Sequence, residues 1–261
     1  MNRQYSSRWA LSALLLAAGL AFDGGASART LAEVKSLGAI SMCANADALP
    51  WASNKPETPG FQIELGRAVA AGLGVPLNID WIVPRRRANT VNCDMMLDSV
   101  NDPEVNEGRM LLSRPYQKSG MALALRRDAA EISSFTELQK SQKIGVMVNS
   151  VASVVLGKAG VTTSPYAFQG EMIDDLIKGD LYGGAVSSTW IDYYIHSHPE
   201  VALRAVHAFA DNKDLTWQVA IGLRKSDAAL QSAINEVLDK LIADGTLIGI
   251  YAKYGVQHRL P

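Results

Sequence analysis

Two hydrophobic periods alternate along this chain of 261 residues. Ile40 to Ala44 reads as a short strand, followed by irregular chain from Asn45 to Pro59. Phe61, Leu65, Ala68, Val69 and Gly72 fall on one helical face, which Gly74 and Pro76 end. Leu77, Ile79, Trp81 and Val83 recur at strand period, and Cys93 to Leu97 predicts the next strand before the turn signal Asn101-Asp102-Pro103. This is βαβ grammar, which implies a mainly parallel sheet with helices on its faces.

Near mid-chain, Ser113-Arg114-Pro115-Tyr116 is a turn, because Pro115 fixes its own φ and biases Arg114 toward extended backbone. The apolar run Met121 to Leu125 after it predicts a buried strand. The grammar then restarts. Ser134 with Glu137 forms a capping box, and Lys143 to Val148 is a strand running into Asn149-Ser150, which can cap a helix starting at Val151. Free N–H groups at that helix start could hold an anion or a carbonyl oxygen, and an ordinary N-cap reads at least as well. A helix from Glu171 to Lys178 is ended by Gly179, and a strand around Gly184 to Ser187 leads into Thr189–Tyr194. Thr216 to Leu223 mirrors the first crossing strand. Behind it, Ser226 is the expected cap of a helix whose stripe is Leu230, Ile234, Val237, Leu238, Leu241 and Ile242. Those side chains represent on the order of 10 kcal/mol if fully buried, so the helix must dock. Gly245 breaks it, and a last short helix ends at Tyr254-Gly255.

Composition adds boundaries. At 48% hydrophobic and 20% charged, with net charge −1, the chain is an ordinary globular one with room for two lobes. Arg3 and Arg8 precede an apolar run from Trp9 to Phe22 and the small-residue pattern Ala26-Ser27-Ala28, which reads as a secretory signal peptide over 1–28. The run is shorter than the ~20 residues of a spanning helix, so no stable membrane insertion is expected after cleavage. Arg85-Arg86-Arg87 is the one basic run and reads as a solvated turn; no nucleic-acid footprint is present. Cys43 and Cys93 in an exported chain point to one disulfide, with two buried thiols on separate strands as the alternative.

Catalytic signals are missing. The chain has no Gly-x-Ser-x-Gly elbow and no phosphate loop, and His196 and His198 point to different sides of a helix. No metal site and no cofactor are expected, and no general acid–base pair can be assembled, so the chain reads as a non-enzyme.

The order of the motifs carries more. Gly60-Phe61-x-x-Glu64-Leu65, Cys93-Asp94, Ser113-x-Pro115-Tyr116, Lys143-Ile144-Gly145-Val146, Ala220 to Lys225, Ala243 to Leu247 and Ile250-Tyr251 follow one another over nearly the whole mature chain. In this the chain resembles periplasmic solute-binding proteins of family 3, the type II periplasmic binding proteins. The resemblance implies a periplasmic α/β protein of two lobes, each a mainly parallel sheet flanked by helices, joined by two hinge strands and closing over a small molecule. The expected division is 29–119 plus 225–261 for lobe 1 and 120–224 for lobe 2. Amino-acid-binding members carry an Arg for the α-carboxylate where this chain has Asn106, with Arg109 displaced nearby, and an Asp for the α-ammonium where it has Ser188. Each missing charge-assisted contact is worth ~1.5–3 kcal/mol, and both together would weaken zwitterion binding roughly 10²–10⁴-fold, unless Arg109 or the Arg85–Arg87 run reaches the cleft.

One branch is similar in more detail. Cys43-Ala44 with Leu49-Pro50, Arg86-Arg87 with Asn89-Thr90, Cys93-Asp94, Ser113-Arg114-Pro115-Tyr116 and Tyr254-Gly255-Val256 resemble a solute-binding-like accessory protein of quinoprotein (methanol) dehydrogenases. The segment between Arg87 and Cys93 is shorter than in that branch, and the lobe after Asn149 lacks its longer insertion. The implied partners are a small-molecule ligand and either an ABC permease or a periplasmic quinoprotein dehydrogenase; a lyase or dehydratase on this fold is the third reading. Because ligands of open α/β sheets gather at the carboxyl ends of strands, the cleft candidates are Asn45, Leu49, Trp51, Ser99, Asn101, Asn149, Ser150, Ser188 and Trp190.

Overall fold

The computed structural model describes residues 29–82, 91, 93–102, 110–208, 212–224 and 226–261. The expected signal peptide, the Arg85–Arg87 run, and Asn106 with Arg109 lie outside the described residues. In chain order the elements are α1 (Leu31–Leu37), β1 (Ile40–Ala44), β2 (Asp47–Ala48), β3 (Ala52–Ser53), α2 (Phe61–Gly72), β4 (Leu77–Trp81), β5 (Met95–Val100), β6 (Met110–Leu112) and β7 (Gln117–Arg126). There follow β8 (Ile144–Met147), α3 (Val151–Lys158), β9 (Thr163–Tyr166), α4 (Gln169–Lys178), β10 (Gly183–Ser187) and α5 (Ser188–Ser197). The chain closes with β11 (Leu203–Val206), β12 (Thr216–Arg224), α6 (Ala228–Ala243) and α7 (Thr246–Ala252).

The two-lobed α/β architecture expected from the sequence is the one found. Strand order is β4-β1-β5-β12-β7-β10-β8-β9, with β6 also on β12 and β11 also on β7. Strand β1 is parallel to β4 and β5 in the first lobe, and β8 is parallel to β9 and β10 in the second. The two half-sheets meet in an antiparallel ladder in which Gln117, Lys118, Ser119 and Gly120 face Val219, Gln218, Trp217 and Thr216. Beyond it, β12 turns into the first lobe against β5 and β6, and β7 into the second against β10 and β11.

Each lobe has its own apolar core. In the first, Met42, Leu65, Val69, Met95, Ile221 and Leu223 pack with Leu230, Ile234 and Leu238 of α6. In the second, β7 is buried on both faces. Leu123 and Leu125 join Ile144, Val146 and Leu156 on one side, while Ala122 and Ala124 join Met172, Ile173 and Leu176 on the other. A central strand covered on both faces must read as a continuous apolar run, which is what Met121 to Leu125 shows.

One expected cap, and the partner of another, shift by one residue. Asp227, not Ser226, caps α6: its Oδ1 accepts from Leu230 N at 2.8 Å and from Leu31 N at 3.2 Å. A carboxylate is the stronger acceptor at a positive helix end. Ser226 instead donates to Arg29 O. Ser134 does cap the turn Phe135–Glu137, but Glu137 reaches Ser133 N and Oγ, since that turn is a three-residue 3₁₀ helix.

The start of the described chain is fastened by Asp94. Its carboxylate takes both arms of Arg29, at 2.7 and 2.6 Å, along with Ser41 N at 2.7 Å and Ser41 Oγ at 3.0 Å. With its side chain 4% exposed, Asp94 ties β1 to the entry of β5 and to the segment before α1. Removing one partner of a buried charge pair strands the other. Asp94→Ala is therefore expected to lower unfolding free energy by about 3 kcal/mol in urea titration; a loss below about 1 kcal/mol, as for an exposed pair, would contradict this role.

Candidate functional site

The hinge ladder is the floor of a cavity of about 470 Å³ between the lobes. Directly opposed residues of an antiparallel pair share a face, so Gln117 and Ser119 present their side chains together with Val219 and Trp217. Strand β5 supplies one wall through its alternate positions Met96, Asp98 and Val100. Cys43, Ala44 and Asn45 at the end of β1, Trp51 in the β2–β3 hairpin and Gln62 in the first turn of α2 complete the first lobe's side. The second lobe contributes Ser187 and Thr189, at the junction of β10 and α5.

Cys43 and Cys93 are joined by a disulfide with their Cα atoms 5.5 Å apart, which fixes the end of β1 to the entry of β5. One wall of the cavity is thus covalently set. Its floor is held from beneath. Tyr251 stacks on Phe61 with ring centroids 4.4 Å apart, and its hydroxyl donates to Gln117 Oε1 at 2.7 Å. Tyr116 donates to Leu97 O. Burial, above all, pushes both phenols upward in pKa, Tyr251 further through Tyr116 and Tyr116 further through Asp98. They therefore remain neutral donors at any ordinary pH. At the second lobe, Ser119 Oγ and Thr189 Oγ1 stand 3.5 Å apart, linking the hinge to the start of α5.

Chemically, the described lining offers one carboxylate (Asp98), three amides, three hydroxyls, a thioether and two indoles. Its size suits a small organic molecule, with apolar faces for packing and a few polar groups for orientation. Among the described residues, no group of three His, Cys, Asp or Glu side chains could hold a metal ion.

The sequence candidates fall in different places. Asn45 and Trp51 line the cavity. Leu49 lies in the same loop, half-buried and outside the lining. Ser99 occupies the opposite face of β5, 7% exposed, donating to Met96 O at 3.3 Å. It is packed against Gly222, where an added Cβ would fall 2.3 Å from Ser99 Oγ. Asn101 donates to Gln218 Oε1 at 3.1 Å, and Gln218 belongs to the face of β12 away from Trp217. Asn149, at φ 58°, turns the chain, and Ser150 caps α3 by accepting from Ser153 N; neither lines the cavity. Ser188 is buried at the first position of α5, and Trp190 stacks on Tyr194 over the second lobe's core. The polar and aromatic lining residues that sequence reasoning missed are Gln62, Asp98, Gln117, Ser119, Ser187, Thr189 and Trp217. Strand parity was the available signal: Met95, Leu97 and Ser99 go inward, so Met96, Asp98 and Val100 go outward.

Fold and cleft together define a two-lobed solute-binding protein. Residues 40–257 match the bacterial extracellular solute-binding proteins, family 3, and the chain belongs to that family. It is 24% identical over 265 residues to a probable histidine-binding protein of Neisseria gonorrhoeae, covering 97% of this chain and 96% of that one. It is 25% identical over 217 residues to the lysine/arginine/ornithine-binding periplasmic protein of Escherichia coli (strain K12), covering 77% and 80%. Its fold matches the unliganded open L-cystine solute receptor of Neisseria gonorrhoeae with a TM-score of 0.74, at 17% identity and 87% and 97% coverage.

The two indoles give a direct readout. A solute that raises the melting temperature is expected to change tryptophan emission through Trp51 and Trp217. The double variant Trp51→Phe/Trp217→Phe should lose that response and Trp190→Phe should keep it; the reverse pattern would place the solute elsewhere.

Proposed function

We propose that this protein is a non-catalytic periplasmic binding protein that closes lobe 1 (29–119 with 225–261) and lobe 2 (120–224) over a small solute other than an ordinary α-amino acid. The observation that carries this reading is the cavity itself, whose floor is the hinge ladder and whose walls come from both lobes. A solute touching Asp98 and Trp51 on one side and Thr189 on the other gains most when the lobes approach. Closure is then driven by differential contacts.

Departure from amino-acid capture is supported at the second lobe. Ser188, in the register of the family's ammonium-binding Asp, is buried at 6% exposure, and the neighbouring lining groups are the neutral hydroxyls of Ser187 and Thr189. The relatives named for histidine and for lysine, arginine and ornithine share only about a quarter of their residues with this chain. An ABC permease would receive the solute. Among the described residues no helix is long and apolar enough to cross a membrane.

A second reading makes the same cleft serve a periplasmic quinoprotein dehydrogenase. It is supported by Cys43 and Cys93, two residues that carry the resemblance to the accessory branch and that here are bonded into the cavity wall.

Thermal-shift screening of the purified protein separates these readings when paired with a deletion strain. Solute capture for import expects a rise in melting temperature at micromolar concentration of a non-amino-acid solute, with dehydrogenase activity of the deletion strain unchanged. Stabilisation by amino acids alone would contradict the proposed solute class. Dehydrogenase activity lost on deletion and restored by the intact gene would transfer the assignment to the accessory reading.

A further inference from the structure

Beyond the two hinge strands, a third stretch of chain runs between the lobes. Tyr254 is seated in the first lobe, where its hydroxyl accepts from Gly60 N at 2.9 Å and donates to Glu64 Oε1 at 2.8 Å. Val256 belongs to the same core, 4% exposed, and its N–H bonds to Tyr251 O at 3.2 Å. One residue later the chain is held by the second lobe: Gln257 N donates to Asp192 Oδ2 of α5 at 3.2 Å. The other oxygen of Asp192 lies 2.8 Å from His207 Nε2, which fixes the carboxylate. The chain then reaches the hinge. His258 Nε2 donates to Tyr116 O at 2.8 Å, and Lys118 N donates to Arg259 O at 2.8 Å.

We infer that the segment Gly255–Arg259 is a strap that limits how far the lobes rotate about the hinge. Consecutive Cα atoms are 3.8 Å apart, so Gln257 cannot follow α5 while Val256 stays in the first lobe's core. A rotation of lobe 2 that displaces α5 must break the Gln257–Asp192 bond or pull Val256 from its seat. The hinge ladder joins the two lobes through four residue pairs; a third chain bonded to Tyr116 and Lys118 stiffens it. Close contact leaves no slack at the turn. Gly255 has φ 66°, and a Cβ there would lie 2.3 Å from His196 Cβ on α5. Tyr193 of α5 adds apolar contact with the first lobe's core. This inference rests on the fold and not on the identity of the solute.

The test is the interlobe distance distribution in solution, with no solute added. Spin labels at Glu236→Cys on α6 and Lys158→Cys on α3, both exposed, report it while the Cys43–Cys93 bond stays intact. Two backgrounds release the strap. Gln257→Pro removes the single N–H given to Asp192, and a chain ending at Val256 removes the whole contact. Both are expected to spread the distribution by several ångströms relative to the full chain. An unchanged distribution in folded Gln257→Pro would overturn the inference, whether or not the shortened chain folds. The same variant spreading as widely as the shortened chain would assign the restraint to the Asp192 contact.

Discussion

The rest of the structure depends on the short antiparallel ladder between β7 and β12. Gln117–Gly120 and Thr216–Val219 join two half-sheets that otherwise have separate cores. Strand geometry there has a functional consequence because side chains alternate between faces. One face of the ladder carries Gln117, Ser119, Trp217 and Val219, which makes it the floor of the cavity. The other carries Lys118 and Gln218, and Gln218 is bonded to Asn101. A slip of one residue in this register would exchange the two sets and remove the site.

Rigidity around that floor is distributed unevenly. Beneath Gln117 lie buried neutral phenols and the Phe61–Tyr251 stack, and beside it stands the wall closed by the Cys43–Cys93 bond. Both belong to the first lobe. Among the described residues, the second lobe brings the β10–α5 junction, through Ser187 and Thr189. On the proposed reading, most of a solute's contacts are in place on the first lobe before the second approaches.

The fold was legible because its signals are local and repeated. The apolar run of β7, the stripe of α6 and the alternation of strands and helices each specify an element without knowledge of its neighbours. The short edge strands β6, β9 and β11 were not, since Thr163-Ser164-Pro165-Tyr166 has no apolar pattern. At the site, the loops were identified, but the faces within strands were not. Choosing Ser99 over Asp98, and Ser188 over Thr189, favoured small polar residues near strand ends. Which neighbour faces the cleft is decided by packing: Ser99 is pressed against Gly222, a contact across 123 positions of sequence that no local pattern encodes. Trp217 was overlooked for a related reason. It lies on the polar half of β12, whose neighbour across the ladder is Ser119.

The central question is where the solute sits. A crystal structure of the protein bound to whichever solute raises its melting temperature would decide it. Density bounded by Trp51, Asp98, Gln117 and Trp217 below and Thr189 above, with the lobes nearer than in the unbound protein, is the predicted result. Density outside the interlobe cavity, or bound solute with the lobes unmoved, would contradict it.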